Sequence, residues 1–241
     1  MPETSASTSI SIQPVGRAEE HLSRRLGHEF RDAGLLERAL THRSFSPAHY
    51  ERLEFLGDSI LGCVISKYLY GKYPDMSEGD LSRLRSNLVK ESTLVVFAEQ
   101  LELGSFLMLG EGERRSGGSR RPSILADGVE ALIGAIFLDG GFESAERAVL
   151  NLYVPYLEKL DLKTLGKDAK TLLQEYLQGR RLALPHYSVI DTEGGAHEQM
   201  FRVECAVPAL GIVTQGTGSS RRNAEQQAAA EAYQKIGKKH E

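Results

Sequence analysis

The stretch ERLEFLGDSILG, residues 51–62, places three carboxylates, Glu51, Glu54 and Asp58, in a run that is otherwise largely apolar. On a helix, positions i, i+3 and i+7 fall nearly on one line, so the three acids point in the same direction. Like charges that lie this close repel one another. The stretch therefore predicts a helix with an acidic face, and that face needs a positive partner.

A second acidic pair lies in ILADGVEALIGAIFLDGG, residues 124–141. Asp127 and Glu130 are spaced i, i+3 and share a helix face that borders an apolar stripe. If this helix packs beside the first one, up to five carboxylates meet in one pocket. Such a cluster cannot stay fully ionised without a cation.

Acids at these spacings also occur on ordinary solvated helix faces, and this alternative stays open. Neither helix offers lysines at i+4 that would neutralise the acids. Small residues interrupt both acidic stretches and would let the two helix backbones approach closely. They are Gly57 in the first helix and Ala126, Gly128 and Ala131 in the second.

The predicted cation is Mg²⁺, with Mn²⁺ as a substitute. Hard divalent cations prefer oxygen ligands, and neither motif contains the histidine or cysteine that zinc favours. A carboxylate-held Mg²⁺ suits phosphodiester hydrolysis, because it polarises the phosphate, activates water and stabilises the leaving oxygen. No small-molecule cofactor is expected.

The bulk composition is that of a cytoplasmic protein with one large or two modest domains. The chain has 241 residues and a net charge of −4, which alone does not indicate a nucleic-acid partner. Its two cysteines have no metal-ligand spacing and are expected to be reduced. No apolar run approaches the ~20 residues that span a bilayer, so no membrane association is expected. Residues 1–18 lack the features of a secretory signal and are predicted to be a disordered tail.

Residues 19–160 are predicted to form an all-α domain. The helix over residues 51–70 should end near Gly71, and Ser77 should cap one helix that continues to about residue 101. Residues 109–122 are expected to form a loop rich in glycine and arginine. Ser123 should cap the second acidic helix, which two glycines end at residues 140–141. A further helix is expected from about residue 144 to 160.

The C-terminal part follows a different pattern. Residues 161–167 are predicted to be a linker, and residues 168–237 an α+β domain of order α-β-β-β-α, with a turn at Gly194 and Gly195. Ala224, Ala228 and Ala232, spaced by four, should pack the last helix against the sheet.

The C-terminal domain has basic residues at the start of its last helix. Arg221 and Arg222 follow Ser220 there, beside backbone N–H groups that attract phosphate. A compact domain of this kind suits A-form RNA, which proteins recognise by shape through phosphates and 2′-hydroxyls. The predicted RNA contacts are Lys170, Gln174, Glu175, His197, Ser220, Arg221 and Arg222.

Five blocks of the N-terminal part resemble those of bacterial ribonuclease III and follow the same order. They are LLERALTHRSF, ERLEFLGDSIL, EGDLSRLRSNLV, SGGSRRPSILAD and VEALIGAIFLD. The C-terminal part resembles the double-stranded-RNA-binding domain of that family. Together the likeness covers about residues 20–237.

The resemblance implies roles for the acidic residues. Positions matching Glu54, Asp127 and Glu130 bind the catalytic metal, and those matching Asp58 and Glu130 are essential for cleavage. Glu51 would line the acidic valley and assist catalysis. The family acts as a homodimer that contacts through the first acidic helix, which implies that Phe55, Leu56 and Gly57 are dimer contacts or, alternatively, core residues.

The resemblance also implies the reaction. The expected activity is endonucleolytic cleavage of double-stranded RNA that leaves 5′-phosphates and 3′-hydroxyls, with precursors of ribosomal RNA and structured messenger RNA as substrates. Apart from the resemblance, the four arginines of the 109–122 loop are expected on a solvated, flexible segment. The alternative is that some of them hold RNA phosphates beside the acidic site, and it extends to Arg83 and Arg85.

Four positions depart from the family pattern, one of them Pro122, which precedes the expected cap at a position where proline is tolerated. Tyr50 replaces a common asparagine, Gly128 replaces a residue with a side chain, and Glu225 stands where many such domains have lysine. Glu225 is expected to weaken the basic surface. Two other functions stay open on the sequence: a non-catalytic protein that binds double-stranded RNA, and a small-nucleotide phosphohydrolase, although the latter would leave the C-terminal domain without a role.

Overall fold

The computed structural model describes residues 13–160, 165–194 and 199–238. The chain divides into two compact units, Met1–Leu162 and Lys163–Glu241. The predicted turn residue Gly195, the RNA-contact candidate His197 and part of the predicted linker lie outside the described residues. None of the described helices is both long enough and apolar enough to cross a bilayer.

The N-terminal unit is helical, as the sequence predicted. Its α-helices are α1 (Gln13–Leu26), α2 (Ala33–Ala39), α3 (Glu51–Lys72), α4 (Glu78–Leu88), α5 (Glu91–Gln100), α6 (Glu111–Arg115) and α7 (Pro122–Leu157). The first acidic stretch forms α3 and the second lies in α7. These two helices pack against each other, so the fold brings the two acidic motifs together.

Helix α7 consists of two helical segments that meet at Gly141. This glycine has φ 77° and ψ −176°, a conformation that residues with a side chain rarely adopt. The predicted glycine stop is therefore a kink. The segment after it starts at once, without the gap up to residue 144 that the sequence suggested.

Two further boundaries differ from the prediction. Helix α1 begins at Gln13, so residues 13–18 of the predicted tail are helical, and Ala18, Leu22 and Leu26 are buried at a spacing of four. The single helix expected after Ser77 is two helices, α4 and α5. Their junction is stabilised by the Thr93 hydroxyl, which donates to the carbonyl of Asn87 over 2.8 Å. The cap by Ser77 itself is confirmed, because its Oγ accepts from the N–H of Asp80.

The segment 109–122 is more ordered than a loop. It contains the short helix α6 and a 3₁₀ turn over Gly118–Arg120. Helix α7 begins at Pro122, so Arg121 occupies the cap position and Ser123 does not cap the helix. Proline suits the first helical position, because its fixed φ is already helical and the missing N–H would have no partner there.

The C-terminal unit has the predicted α-β-β-β-α order. Its elements are α8 (Ala169–Gly179), β1 (His186–Glu193), β2 (Met200–Val207), β3 (Ile212–Gly218) and α9 (Arg221–Lys238). The strands form an antiparallel sheet of order β1-β2-β3.

Helix α9 packs on this sheet through its small residues, as predicted. Ala224, Ala228 and Ala232 are fully buried. A Cβ on Gly216 of β3 would lie 2.3 Å from the carbonyl oxygen of Ala224, so only glycine permits this close approach. The Thr214 hydroxyl donates to the carbonyl of Ala228 over 2.7 Å and ties the helix to the sheet.

Candidate active site

Two glycines allow α3 and α7 to pack at short distance. A Cβ on Gly57 would lie 1.8 Å from the carbonyl oxygen of Glu130, and a Cβ on Gly134 would lie 2.2 Å from that of Leu53. Any side chain at either position would force the backbones apart. Gly128, which the sequence suggested for this role, faces Leu103 instead, whose Cδ2 would lie 3.0 Å from a Cβ there.

The close approach brings three carboxylates together. One carboxylate oxygen from each of Glu54, Asp127 and Glu130 can be chosen so that all three lie within 4.8 Å of one another. Glu54 comes from α3 and the other two from α7. All three residues are half-buried, so the cluster is shielded on one side and accessible on the other.

No basic side chain among the described residues forms an ion pair with this cluster within 4 Å. The ion pairs within 4 Å in residues 13–160 involve other acids, and none involves Glu54, Asp58, Asp127 or Glu130. The cluster therefore carries more negative charge than its surroundings offset. An arrangement of this kind is stable either with protons on some carboxylates or with a cation among them.

The pKa values of the cluster reflect this repulsion. Burial, together with the charges of Asp58, Glu54 and Asp127, raises the pKa of Glu130 to about 8. Burial and neighbouring carboxylates also raise the pKa of Glu54 and of Asp127. The donor set is all oxygen, so the residues fit a hard divalent cation such as Mg²⁺.

Glu51 and Asp58 lie at the edge of the cluster. Glu51 is half-exposed, and its carboxylate lies 3.2 Å from Nη1 of Arg43 and 3.7 Å from Nδ1 of His49. Asp58 is exposed, yet it is close enough for its charge to contribute to the raised pKa of Glu130. The five predicted acids are thus gathered in one region, and three of them are close enough to share a metal ion.

A cavity of about 470 Å³ adjoins the cluster and includes residues that sequence reasoning did not assign to the site. Among these are His42, Arg43, Tyr50 and Glu113. The Ser44 hydroxyl accepts from the N–H of Gly110 over 2.9 Å and joins the THRSF block to the 109–122 segment.

Glu91, at the start of α5, is a further acid that the sequence did not suggest. Its charge is the largest neighbouring contribution to the raised pKa of Asp127. Nothing in the spacing of Glu91 relative to the two motifs would have revealed it, because it comes from a third helix.

Tyr50 and His42 line the cavity beside the acids. Tyr50 is 2% exposed, and burial raises the pKa of its hydroxyl far above the ordinary value. Its ring lies 5.7 Å from that of His42, whose Nδ1 is 2.7 Å from the Ser44 hydroxyl. These contacts place His42 on the cavity wall.

The arginines near the site are mostly paired with acids. Arg121 lies 2.7 Å from the carboxylate of Glu113 and lines the cavity. Arg115 pairs with Glu111 in α6, and Arg83 pairs with Asp80. Of these, Arg121 is the one that the described structure brings beside the carboxylates.

The exposed side of α3 carries large apolar residues. Phe55 and Tyr70 are each 78% exposed, and Leu56 is half-buried. Gly57 is different, because it is buried against the backbone of α7 in the same chain. For Gly57 the structure supports the core alternative, because the residue packs against the backbone of α7 within the chain.

In the C-terminal unit, the predicted RNA contacts that the structure describes lie on α8 and at the start of α9. Gln174 and Arg222 are exposed, and the Ser220 hydroxyl accepts from the N–H of Asn223 over 3.2 Å. Glu175 pairs with Lys167, with 2.5 Å between Nζ and Oε2.

Glu225 does not lie on the exposed basic surface. It is 8% exposed, and its two carboxylate oxygens bind Nζ of Lys170 at 2.6 Å and Nε of Arg221 at 2.8 Å. These hydrogen bonds, the one from Lys170 first, lower the pKa of Glu225. Two predicted RNA contacts therefore converge on one buried acid.

Two family models match the chain. The Ribonuclease-III-like model matches residues 32–157, and the Double-stranded RNA binding motif matches residues 169–236. The first range contains every acid of the carboxylate cluster, and the second contains α8 and the sheet.

Full-length relatives and a solved structure agree with these matches. The chain is 60% identical to Ribonuclease 3 of Bordetella avium over 208 residues, 86% of this chain and 83% of that protein. It is 57% identical to Ribonuclease 3 of Cupriavidus taiwanensis over 217 residues, 90% of this chain and 85% of that protein. The crystal structure of the nuclease domain of ribonuclease III from Campylobacter jejuni is 45% identical with a TM-score of 0.56, covering 59% of this chain and 97% of that chain.

Proposed function

Because the chain belongs to the ribonuclease III family and is an endoribonuclease of double-stranded RNA, we propose that its carboxylate cluster binds the catalytic divalent cation. The observation that carries the proposal is the convergence of Glu54, Asp127 and Glu130 without a basic partner among the described residues. Mg²⁺ is the proposed ion, with Mn²⁺ as a substitute, and no small-molecule cofactor is needed.

The ligands would be one oxygen from each of these three residues, and water would complete the coordination, since Mg²⁺ commonly keeps several waters. When bound, the cation supplies charge stabilisation of the phosphate and of the leaving oxygen. Burial and three neighbouring carboxylates raise the pKa of Glu130, so a bound cation would stabilise the ionised form of this residue.

Asp58 and Glu51 complete the proposed catalytic set. Asp58 follows Glu54 by one turn on α3 and lies within the field of Glu130. Glu51 pairs with Arg43, and both residues line the cavity beside the cluster. We assign Asp58 and Glu130 as residues without which cleavage stops, and Glu51 as a residue that assists it.

The proposed products carry 5′-phosphates and 3′-hydroxyls, and the proposed substrates include precursors of ribosomal RNA and structured messenger RNA. The RNA contacts of the C-terminal unit would be Lys170, Gln174, Glu175, His197, Ser220, Arg221 and Arg222. A cytoplasmic location belongs to the same proposal and is supported by two cysteines that are both free thiols.

We further propose that the protein acts as a homodimer through the outer face of α3. A solved structure of the Campylobacter jejuni nuclease domain, 47% identical with a TM-score of 0.54, is described as flexible in a region involved in dimer formation. In this chain, Phe55 and Tyr70 leave a large apolar area exposed on α3. Exposed apolar patches of this kind are typical of interaction surfaces.

The proposal is tested with a long duplex RNA labelled at one end. Wild-type protein is incubated with the duplex in Mg²⁺, Mn²⁺, Ca²⁺ or EDTA, beside Asp58→Asn and Glu130→Gln. Glu20→Gln is the matched control, because Glu20 is an exposed acid on α1 that pairs only with Arg24 among the described residues. Binding of each protein to the duplex is measured in EDTA.

We expect short duplexes from wild type and Glu20→Gln in Mg²⁺ or Mn²⁺, and none in EDTA. The two site variants should bind the duplex with wild-type affinity and leave it intact. Cleavage in EDTA would contradict the metal proposal. Cleavage by Glu130→Gln at the wild-type rate would contradict the assignment of the site.

A further inference from the structure

The first turns of α8 and α9 are joined by a buried acid. Glu225 accepts from Lys170 at Oε2 and from Arg221 at Oε1, so one carboxylate holds a cation from each helix. We refer to these three residues as the Lys170–Glu225–Arg221 cluster. Its net charge is +1, although it contains the acid expected to weaken the basic surface.

Lys170 is held from a second side as well. Its Nζ lies 4.4 Å from the centre of the Tyr187 ring on β1, in cation–π geometry. The Lys170 side chain is 34% exposed, so it is partly accessible to a ligand. A lysine side chain loses conformational entropy when it is immobilised, and here the fold has already fixed it.

Arg221 is held by a hydrogen bond to Glu225 that occupies one of its N–H donors. Glu225 accepts from Nε alone, and the Arg221 side chain is 64% exposed. Guanidinium carries five N–H donors, so the two terminal nitrogens stay available for a phosphate.

The next residue of α9 strengthens the same connection. The side-chain oxygen of Gln226 accepts from the backbone N–H of Lys170 over 3.1 Å. Glu225 and Gln226 together therefore fix the start of α8 against the start of α9. The distance between these two helix starts matters for a domain that recognises the regular spacing of an A-form duplex.

We propose that Glu225 is a positioning residue for RNA binding, which fixes Lys170 and Arg221 at the separation that the duplex requires. The inference rests on the proposed RNA contacts of these two cations. It reverses the simple electrostatic expectation, under which removal of an acid from a basic surface strengthens RNA binding.

The two views predict opposite changes in RNA affinity for Glu225→Gln: the positioning role predicts weaker binding, and the simple electrostatic expectation predicts stronger binding. The test uses the full-length protein in EDTA, with a fluorescent RNA duplex of about two helical turns, and measures Kd over a series of salt concentrations. Glu231→Gln is the matched control, because it removes one negative charge from the same helix and Glu231 pairs with Lys235 instead. The melting temperature of each variant is recorded in the same buffer.

We expect Glu225→Gln to bind the duplex roughly tenfold more weakly, the effect of losing one good ionic contact. The slope of log Kd against log salt should fall by about one, as expected when one phosphate contact is lost. Glu231→Gln should bind as wild type does, or slightly more tightly.

A second variant separates positioning from folding. Lys170→Met removes one cation that Glu225 holds, so Glu225→Gln should weaken binding less in that background than in wild type. Tighter binding by Glu225→Gln would overturn the inference. Weaker binding at an unchanged salt slope, with a lower melting temperature, would also overturn it, since that pattern indicates a structural role. A wild-type chain that fails to bind duplex RNA would overturn both this inference and the proposed function.

Discussion

The short contact between α3 and α7 predicts a strong effect for the smallest possible change, Gly57→Ala. The added methyl group would lie 1.8 Å from the carbonyl oxygen of Glu130 and 3.0 Å from the backbone nitrogen of Gly134. Both obstacles are backbone atoms, which cannot rotate away. The helices must separate by roughly 1.5 Å before the contact becomes an ordinary one.

The expected cost in stability is about 1–3 kcal/mol, the usual range for overpacking, and we place this variant at the upper end because no side chain can yield. The effect on activity should be larger. Ligand distances at a metal site tolerate changes of only ~0.2 Å, and the separation moves Glu54 away from Glu130. We expect at least a tenfold lower cleavage rate and a higher concentration of Mg²⁺ for half-maximal cleavage.

The assay compares urea unfolding and Mg²⁺-dependent cleavage of Gly57→Ala with those of Gly71→Ala. Gly71 lies in the same helix and is exposed, and a methyl group added there would meet no described atom within 4 Å. Alanine at this position should be neutral or stabilising by up to ~1 kcal/mol, with unchanged cleavage. A Gly57→Ala protein with wild-type stability and Mg²⁺ requirement would refute the claim that the glycine contact forms the site.

Three other outcomes follow from the structure. The pKa of Glu130 is raised from 4.5 to about 8 in the folded protein, so this group stabilises the metal-free fold below pH 4.5, and the stabilisation is lost as pH rises through about 8. The melting temperature in EDTA should therefore fall between these pH values, and it should fall less in Glu130→Gln. The buried carboxylate of Asp139 accepts from the N–H groups of Arg31 and Asp32 and lies 2.8 Å from Nε2 of His28, so Asp139→Ala should lower the free energy of unfolding by roughly 2–4 kcal/mol in urea denaturation. Phe55→Glu should shift the protein toward the monomer in analytical ultracentrifugation while the melting temperature stays near that of wild type, because Phe55 is already 78% exposed within the chain.

The sequence predicted that the acids of α3 and α7 meet, because these acids have a helical spacing. Periodicity assigns each residue to a face, and the faces of α3 and α7 each carry their acids in register. Periodicity does not say which small residue meets the facing helix. Gly134, one turn after Glu130, makes that contact, whereas Gly128 lies against Leu103.

Other features depend on contacts that local patterns do not reveal. The break between α4 and α5 has no glycine or proline, and a hydroxyl of the second helix binds a carbonyl released by the first. Glu225 was expected to weaken a basic surface because the sequence shows its charge but not its partners. The partners, Lys170 and Arg221, are 55 and 4 residues away, and only the folded unit brings both to one carboxylate.

The division of the proposed metal ligands between α3 and α7 also affects the protein while it is being made. Glu130 follows Glu54 by 76 residues in the sequence. At a synthesis rate of about 5–20 residues per second, roughly 4–15 seconds pass between the two ligands. Asp127 follows Glu54 by 73 residues, so during nearly all of that interval the nascent chain holds one of the three proposed ligands. It therefore has no complete site with which to cut the structured RNA of the ribosome that is making it.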